Sequence, residues 1–219
     1  MTPSDSAIVD SVELDQVLSG YQGGLFDEFP TVIDHSFHGA LRVQLDETSW
    51  IEHVPNWISG SERLFKDLLR SAPWQQRSRW MYTRDVIEPR LTAQYPRVSG
   101  APVSIMREIT AALSLRYASR YESLWMNLYR DHRDSTAWHG DRIGRVTPHF
   151  VVPVLSLGAT RTFLIRPAEG GGKSVTLHPA SGDLIVMGGR CQVDWRHAVP
   201  KQAAPSGPRI SINFKPSPI

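Results

Sequence analysis

The spacing of four residues constrains this chain more than any other feature. His139 and Asp141 stand one residue apart in Trp138-His139-Gly140-Asp141, so an extended segment would carry both on one face. His197, in Asp194-Trp195-Arg196-His197, comes about fifty residues later and must be brought back by a distant strand. A folded barrel can do this. Two imidazoles and one carboxylate leave adjacent positions open on an octahedral metal, the arrangement that suits non-haem Fe(II) activating O2. Twelve residues past His197 stands Arg209, on the alternating strand Arg209-Ile210-Ser211-Ile212-Asn213-Phe214-Lys215. A planar guanidinium there can bind a dicarboxylate through two parallel hydrogen bonds. Singly these residues have plainer readings. H-x-D is common by chance, His197 fits a core histidine, and Arg209 fits a surface ion pair. Order and spacing together select the metal reading.

The rest of the pattern supplies strands for such a barrel. From Trp125 onward extended segments are expected at 125–129, 150–157, 162–165, 174–177, 183–187 and 209–214. Gly170-Gly171-Gly172 predicts a hairpin turn, and Ala180-Ser181-Gly182-Asp183 another. Many short strands separated by turns predict a jelly-roll sandwich. Upstream, Leu41, Val43 and Leu45 alternate as in a strand, and 50–54 reads as a second. Ser59-Gly60-Ser61-Glu62 has the form of a capping box, opening a helix with Leu64, Phe65, Leu68 and Leu69 on one face. A second helix is expected over 103–120, with Val103, Met106, Ile109, Leu113 and Tyr117 inward. The fold class is therefore α+β, mainly β, with flanking helices. Residues 1–25 read as a flexible acidic N-terminus and 26–219 as a single domain, its jelly-roll core at about 123–219.

Residues 74–100 are the least regular part, with Trp74, Trp80, Tyr82 and Tyr95 among Arg77, Arg79, Arg84, Arg90 and Arg97. Interleaved aromatics and arginines suit stacked bases and phosphates, and equally a loop-rich surface with its aromatics turned inward. Charge is uneven: residues 1–50 carry nine acidic side chains and one basic, leaving +10 on the remainder of a chain whose net charge is +2. Arginine outnumbers lysine twenty to four, which suits nucleic acid and also follows from genomic composition bias. No apolar run is long enough to span a membrane, and no signal peptide is read in Met1–Asp5. A single cysteine, Cys191, forms no intramolecular disulfide and fits a reducing cytoplasm.

Several motifs in order resemble those of AlkB-type 2-oxoglutarate- and Fe(II)-dependent dioxygenases. They are Asn127-Leu128-Tyr129-Arg130, Asp134-Ser135-x-x-Trp138-His139-x-Asp141, Ser156-Leu157-Gly158-Ala159-x-Arg161-x-Phe163 and Gly182–Met187, followed by Trp195-x-His197-x-Val199-Pro200-Lys201. Pro73-Trp74-x-Gln76-Arg77 and Pro89-Arg90-Leu91-Thr92-Ala93-x-Tyr95 resemble the N-terminal nucleotide-recognition lid of the eukaryotic repair members, placed here at about 74–100. The resemblance runs from about Pro73 to Lys215. It implies a double-stranded β-helix and iron held by His139, Asp141 and His197. It implies 2-oxoglutarate contacted by Asn127, Tyr129, Arg209, Ser211, Asn213 and Lys215, and O2 as co-reactant. It also implies oxidative demethylation of N-alkylated bases in DNA or RNA, single-stranded or flipped, releasing succinate, CO2 and formaldehyde. Substrate contacts would come from Trp74, Tyr82, Arg90, Tyr95, Arg142 and Arg161, in a monomeric protein. Asp194 is a candidate to orient a ligating imidazole.

Four departures bear on substrate. Repair members carry acidic residues after H-x-D, where this chain has Arg142-Ile143-Gly144-Arg145. Losing such an acceptor weakens recognition of a base amine by about 1–3 kcal/mol. Lys215 stands where arginine is usual and Ser211 where many members have asparagine, and the aromatic cluster after the lid motif is missing. The alternative is thus the same chemistry on a protein side chain or small molecule. A non-enzymatic nucleic-acid binder would need a broken metal site, and all three ligands are present.

Overall fold

In a computed structural model, residues 7–8, 17, 29–81, 83–141, 149–172 and 174–216 are described. The strands are β1 (Ala7–Ile8), β2 (Val32–Ile33), β3 (Leu41–Gln44), β4 (Ser49–Val54), β5 (Ile58–Ser59), β6 (Gln75–Met81), β7 (Arg84–Tyr95) and β8 (Tyr121–Tyr129). They continue with β9 (Thr136–His139), β10 (Val152–Gly158), β11 (Phe163–Pro167), β12 (Val175–Leu177), β13 (Leu184–Gly189), β14 (Trp195–Val199) and β15 (Arg209–Pro216). The helices are α1 (Ser61–Ser71), α2 (Ile105–Tyr117) and the short α3 (Cys191–Asp194).

A nine-stranded antiparallel sheet runs β1-β6-β7-β8-β15-β10-β13-β4-β3, and a four-stranded sheet runs β12-β11-β14-β9. Together they form the expected jelly roll. Alternation divides the large sheet's side chains between two cores. Leu124, Met126, Leu128, Ile210, Ile212 and Phe214 belong to one core, with the buried faces of α1 and α2. Tyr129, Val154, Ile185 and Met187 belong to the other, with Phe163 and Ile165 of the small sheet. Each large apolar side chain so buried contributes about 1.5–3 kcal/mol.

The helices follow their apolar periodicity, with α1 against β10 and α2 against β8. Leu64, Phe65, Leu68 and Leu69 are fully buried, as are Met106, Ile109 and Leu113. The start of α1 differs from the capping-box reading. Its cap is Gly60, left-handed at φ 62°, with no side-chain hydrogen bond, and Ser59 ends β5. A Cβ at Gly60 would lie 2.3 Å from the Pro30 carbonyl oxygen, so close approach of the chain excludes a side chain here.

Two other local readings are corrected, and the strand expected from Leu41 is found at the sheet edge. Residues 75–81 and 84–95 pair as an antiparallel hairpin whose register shifts between Gln76 and Ser78. Its alternation is hidden because arginines occupy positions that apolar residues would mark. Leu91–Tyr95 pair with β8, whereas Arg84–Ile87 pair only with β6, so the hairpin projects as a two-stranded arm. The turn at Ala180–Asp183 is no hairpin, because it carries the chain from β12 in the small sheet to β13 in the large one. The Gly170–Gly172 turn does join paired strands. Finally, β3 is an edge strand with Leu41 and Val43 both exposed, so its alternation marks no buried face. Of the acidic N-terminal stretch, Ala7–Ile8 pair with Gln75–Gln76 of β6. No helix among the described residues is long and apolar enough to cross a membrane.

Candidate metal and cosubstrate site

Strand pairing brings the distant histidine home. His197 on β14 is the register partner of His139 on β9, and their rings lie 4.2 Å apart. Asp141 follows β9 by two residues. One ligand atom from each of His139, Asp141 and His197 lies within 4.8 Å of the others, a cluster able to hold one metal ion. The protonation states suit that task. Nδ1 of His139 sits 2.9 Å from the Ala137 carbonyl oxygen, so it carries the hydrogen and Nε2 keeps its lone pair. Burial, then the neighbouring His139 and Arg196, hold His197 well below the usual imidazole range and therefore neutral. Burial raises Asp141, a shift that the Lys215 charge opposes and that His139 opposes when its ring is protonated. Asp194 does not orient an imidazole. Its carboxylate is engaged by Arg190, Nε to Oδ2 at 2.7 Å, and the Ala137 backbone takes the orienting role.

Two neighbours that sequence reading missed shape this loop. The Gln192 side-chain oxygen accepts the Asp141 backbone N–H at 2.8 Å. Gly140 packs so closely on Gln192 that a Cβ would lie 2.4 Å from its carbonyl oxygen. A glycine between two ligands was the available signal; Gln192 left none, because only the tertiary fold brings α3 against Gly140 and Asp141.

The cosubstrate candidates share one face of β8 and β15. Arg209 pairs with Tyr129, Ser211 with Asn127, Asn213 with Trp125 and Lys215 with Ser123. Arg209 is fully buried; its Nη2 donates to Ser156 Oγ at 2.8 Å, while Nε and Nη1 have no hydrogen-bond partner among the described residues. Burial lowers its pKa, the neighbouring Tyr129 opposing and Arg161 adding to the shift. A buried guanidinium with two idle donors is what a dicarboxylate would satisfy, so these residues fit 2-oxoglutarate. Asn127 donates from Nδ2 to Ser211 Oγ at 3.2 Å, and Tyr129 Oη lies 2.9 Å from Thr136 Oγ1. Asn213 Nδ2 donates to the Trp125 carbonyl, and the Lys215 ammonium lies 4.7 Å from the Trp125 ring centre.

The substrate candidates divide sharply. Arg90 lies on the site side, with Nε 3.0 Å from Asn127 Oδ1 and Nη2 3.0 Å from Glu88. Trp74 does not reach the site. It is 1% exposed and donates its indole N–H to the Leu69 carbonyl, so its ring belongs to the large core. Tyr95 alternates with Leu91 and Ala93 toward that same core, away from Asn127; burial pushes its phenol up to about 12. Arg161 is fully buried and spent on backbone carbonyls of Asp131, Asp134 and Pro200 at 2.6–2.8 Å, so it cannot meet a phosphate. Tyr82 and Arg142 lie outside the described residues.

Comparison with known proteins agrees with this geometry. Residues 44–215 match the model of the 2OG-Fe(II) oxygenase superfamily. The chain is 30% identical over 209 residues to alpha-ketoglutarate-dependent dioxygenase alkB homolog 3 of Mus musculus, covering 85% of this chain and 72% of that protein. The Homo sapiens counterpart is 30% identical over 212 residues, with the same coverage of both chains. DNA oxidative demethylase ALKBH2 of Arabidopsis thaliana is 27% identical over 69% of this chain and 60% of its own length. Among solved structures, OsALKBH1 superposes with a TM-score of 0.57 at 13% identity, covering 80% of this chain and 99% of that one, a likeness of fold.

Proposed function

The chain belongs to the 2OG-Fe(II) oxygenase superfamily, and from that premise we propose that it removes N-alkyl groups from nucleobases in DNA or RNA. As a member it is an oxidoreductase, a dioxygenase using Fe(II), 2-oxoglutarate and O2. His139 through Nε2, Asp141 and His197 hold the iron, and Arg209 receives the distal carboxylate of 2-oxoglutarate. Asn127, Tyr129, Ser211, Asn213 and Lys215 line the cosubstrate's place. The chemistry supplied there is oxidation of an N-alkyl carbon by O2, with succinate, CO2 and formaldehyde as products. The chain's own contribution is placement: the Ala137 carbonyl orients His139, Gln192 holds the Asp141 backbone, the Arg209 clamp is desolvated, and the inter-sheet core excludes water.

The observation that carries the nucleic-acid reading is the cationic rim on the site side of the large sheet. The Arg77 guanidinium and the Lys215 ammonium each lie 4.7 Å from the Trp125 ring centre, and Arg90 stands beside Asn127. Next to it the arm of β6 and β7 exposes Trp80, available to stack on a base in a single strand. The arm and the residues up to 100 serve as the lid, in a monomeric, cytoplasmic protein. Relatives named as alkB homolog 3 and as DNA oxidative demethylase support the same reading.

The test is succinate and formaldehyde release by the Fe(II)-loaded protein with oligonucleotides bearing 1-methyladenine or 3-methylcytosine. Formaldehyde in step with succinate is expected. Succinate release that no oligonucleotide alters would favour the second reading, a protein or small-molecule substrate. The observation behind that reading is Arg142 and Arg145, with no carboxylate, directly after the ligand pair.

A further inference from the structure

We infer that Trp125 is a positioning residue for 2-oxoglutarate, holding the Asn127 amide with its indole N–H and the Lys215 ammonium with its ring. The inference rests on the cosubstrate pocket proposed above. Trp125, Asn127 and Tyr129 alternate along β8 onto one face, opposite Asn213, Ser211 and Arg209 of β15. Asn127 Oδ1 accepts from Trp125 Nε1 and from Arg90 Nε, both at 3.0 Å. Rotating the amide would set its NH2 against two donors, so its orientation is determined. One Nδ2 hydrogen goes to Ser211 Oγ at 3.2 Å, and among the described residues the other remains for an acceptor such as a carboxylate.

Lys215 presents the complementary problem. An ammonium on four methylenes has no fork and many rotamers, so it defines a ligand's place poorly by itself. The Trp125 ring, 4.7 Å from Nζ, supplies a cation–π seat that restricts it, and Arg77 at 4.7 Å braces the same ring. One side chain thereby fixes two cosubstrate contacts.

The experiment is calorimetric titration of 2-oxoglutarate into the full chain loaded anaerobically with Mn(II), for wild type, Trp125→Phe, Trp125→Leu, Lys215→Met and Trp125→Leu/Lys215→Met. Trp125→Phe keeps a ring and loses the N–H, so its Kd should rise about threefold. Trp125→Leu loses both, and its Kd should rise about thirtyfold. In turnover, KM for 2-oxoglutarate should rise far more than kcat falls. The double variant should bind little worse than the weaker single variant, because both remove one coupled contact. Unchanged affinity in Trp125→Leu, or a double variant equal to the product of the singles, would overturn the inference. If Trp125→Leu does not fold, unchanged affinity in Trp125→Phe overturns it instead. A wild-type protein that takes up no 2-oxoglutarate overturns the pocket reading itself, and this inference with it.

Discussion

Arg161 and Arg209 make an instructive pair. Both are fully buried, and both guanidinium carbons lie near the Tyr129 ring, at 5.7 and 5.5 Å from its centre. Their surroundings differ in what is left to bond. Arg161 fastens the 131–134 turn to Pro200 through backbone carbonyls and, among the described residues, leaves only Nε without a partner. Arg209 donates to Ser156 Oγ and, among the described residues, leaves Nε and Nη1 without a partner. A desolvated donor without an acceptor is costly, so the idle pair points to a ligand where the satisfied one points to architecture. Burial and charge alone would not separate them.

The largest expected effect breaks the pair on the structural side. Arg161→Met strands several buried carbonyls, and should destabilise the protein by about 3–5 kcal/mol, lowering Tm by about 10 °C. A thermal melt close to wild type would refute its structural role. Second, Arg209→Met should weaken 2-oxoglutarate binding by about 2–3 kcal/mol, the loss of a charge-assisted bidentate contact, as read by calorimetry. Its ligand-free stability should change by less than about 1 kcal/mol, because an underused buried charge leaves with it. A large loss of ligand-free stability would make Arg209 another Arg161. Third, Tyr129→Phe removes the hydroxyl beside Thr136 in the space between the two arginines. It should cost about 0.5–1.5 kcal/mol in denaturant unfolding, and a neutral result would show that this bond couples neither region.

The smallest effect concerns the carboxylate of Asp46, in the turn between β3 and β4. Burial works to raise Asp46, but the Trp195 indole N–H and the backbone N–H groups of Thr48 and Ser49 outweigh it, lowering its pKa from 3.8 to about 2. A depressed folded-state pKa gives stability that is present above the unfolded value and lost as pH falls through the folded one. Asp46→Asn should therefore be less stable than wild type at neutral pH and should flatten the acid loss between about pH 4 and pH 2. Parallel acid-unfolding curves for the two proteins would contradict this.

The lesson of the paired arginines extends to the aromatics. Trp74, Tyr95 and Arg161 look alike in a one-dimensional reading with Arg90, since all sit in or near motifs shared with a nucleic-acid enzyme. Alternation along β7 separates Arg90 from Tyr95, because even positions face Asn127 and odd positions face the helix-side core. The register of β6 on β7 shifts by two residues between Gln76 and Ser78, which leaves that parity intact.

The sequence by itself determined the elements whose physics is local. The apolar faces of α1 and α2 follow from helical spacing, and the strands after Trp125 follow from period-two alternation and their turns. The ligand pair His139 and Asp141 follows from one-residue spacing, and His197 and Arg209 follow from order. Tertiary structure alone decided which face of the large sheet packs helices and which meets the small sheet. It also decided that Ala180–Asp183 changes sheets and that Gln192 holds Asp141. Among the described residues it left Arg209 with two donors to spare and Arg161 with one. The reason is that a hydrogen-bond acceptor dozens of residues away, such as the Pro200 carbonyl for Arg161, leaves no trace in local periodicity.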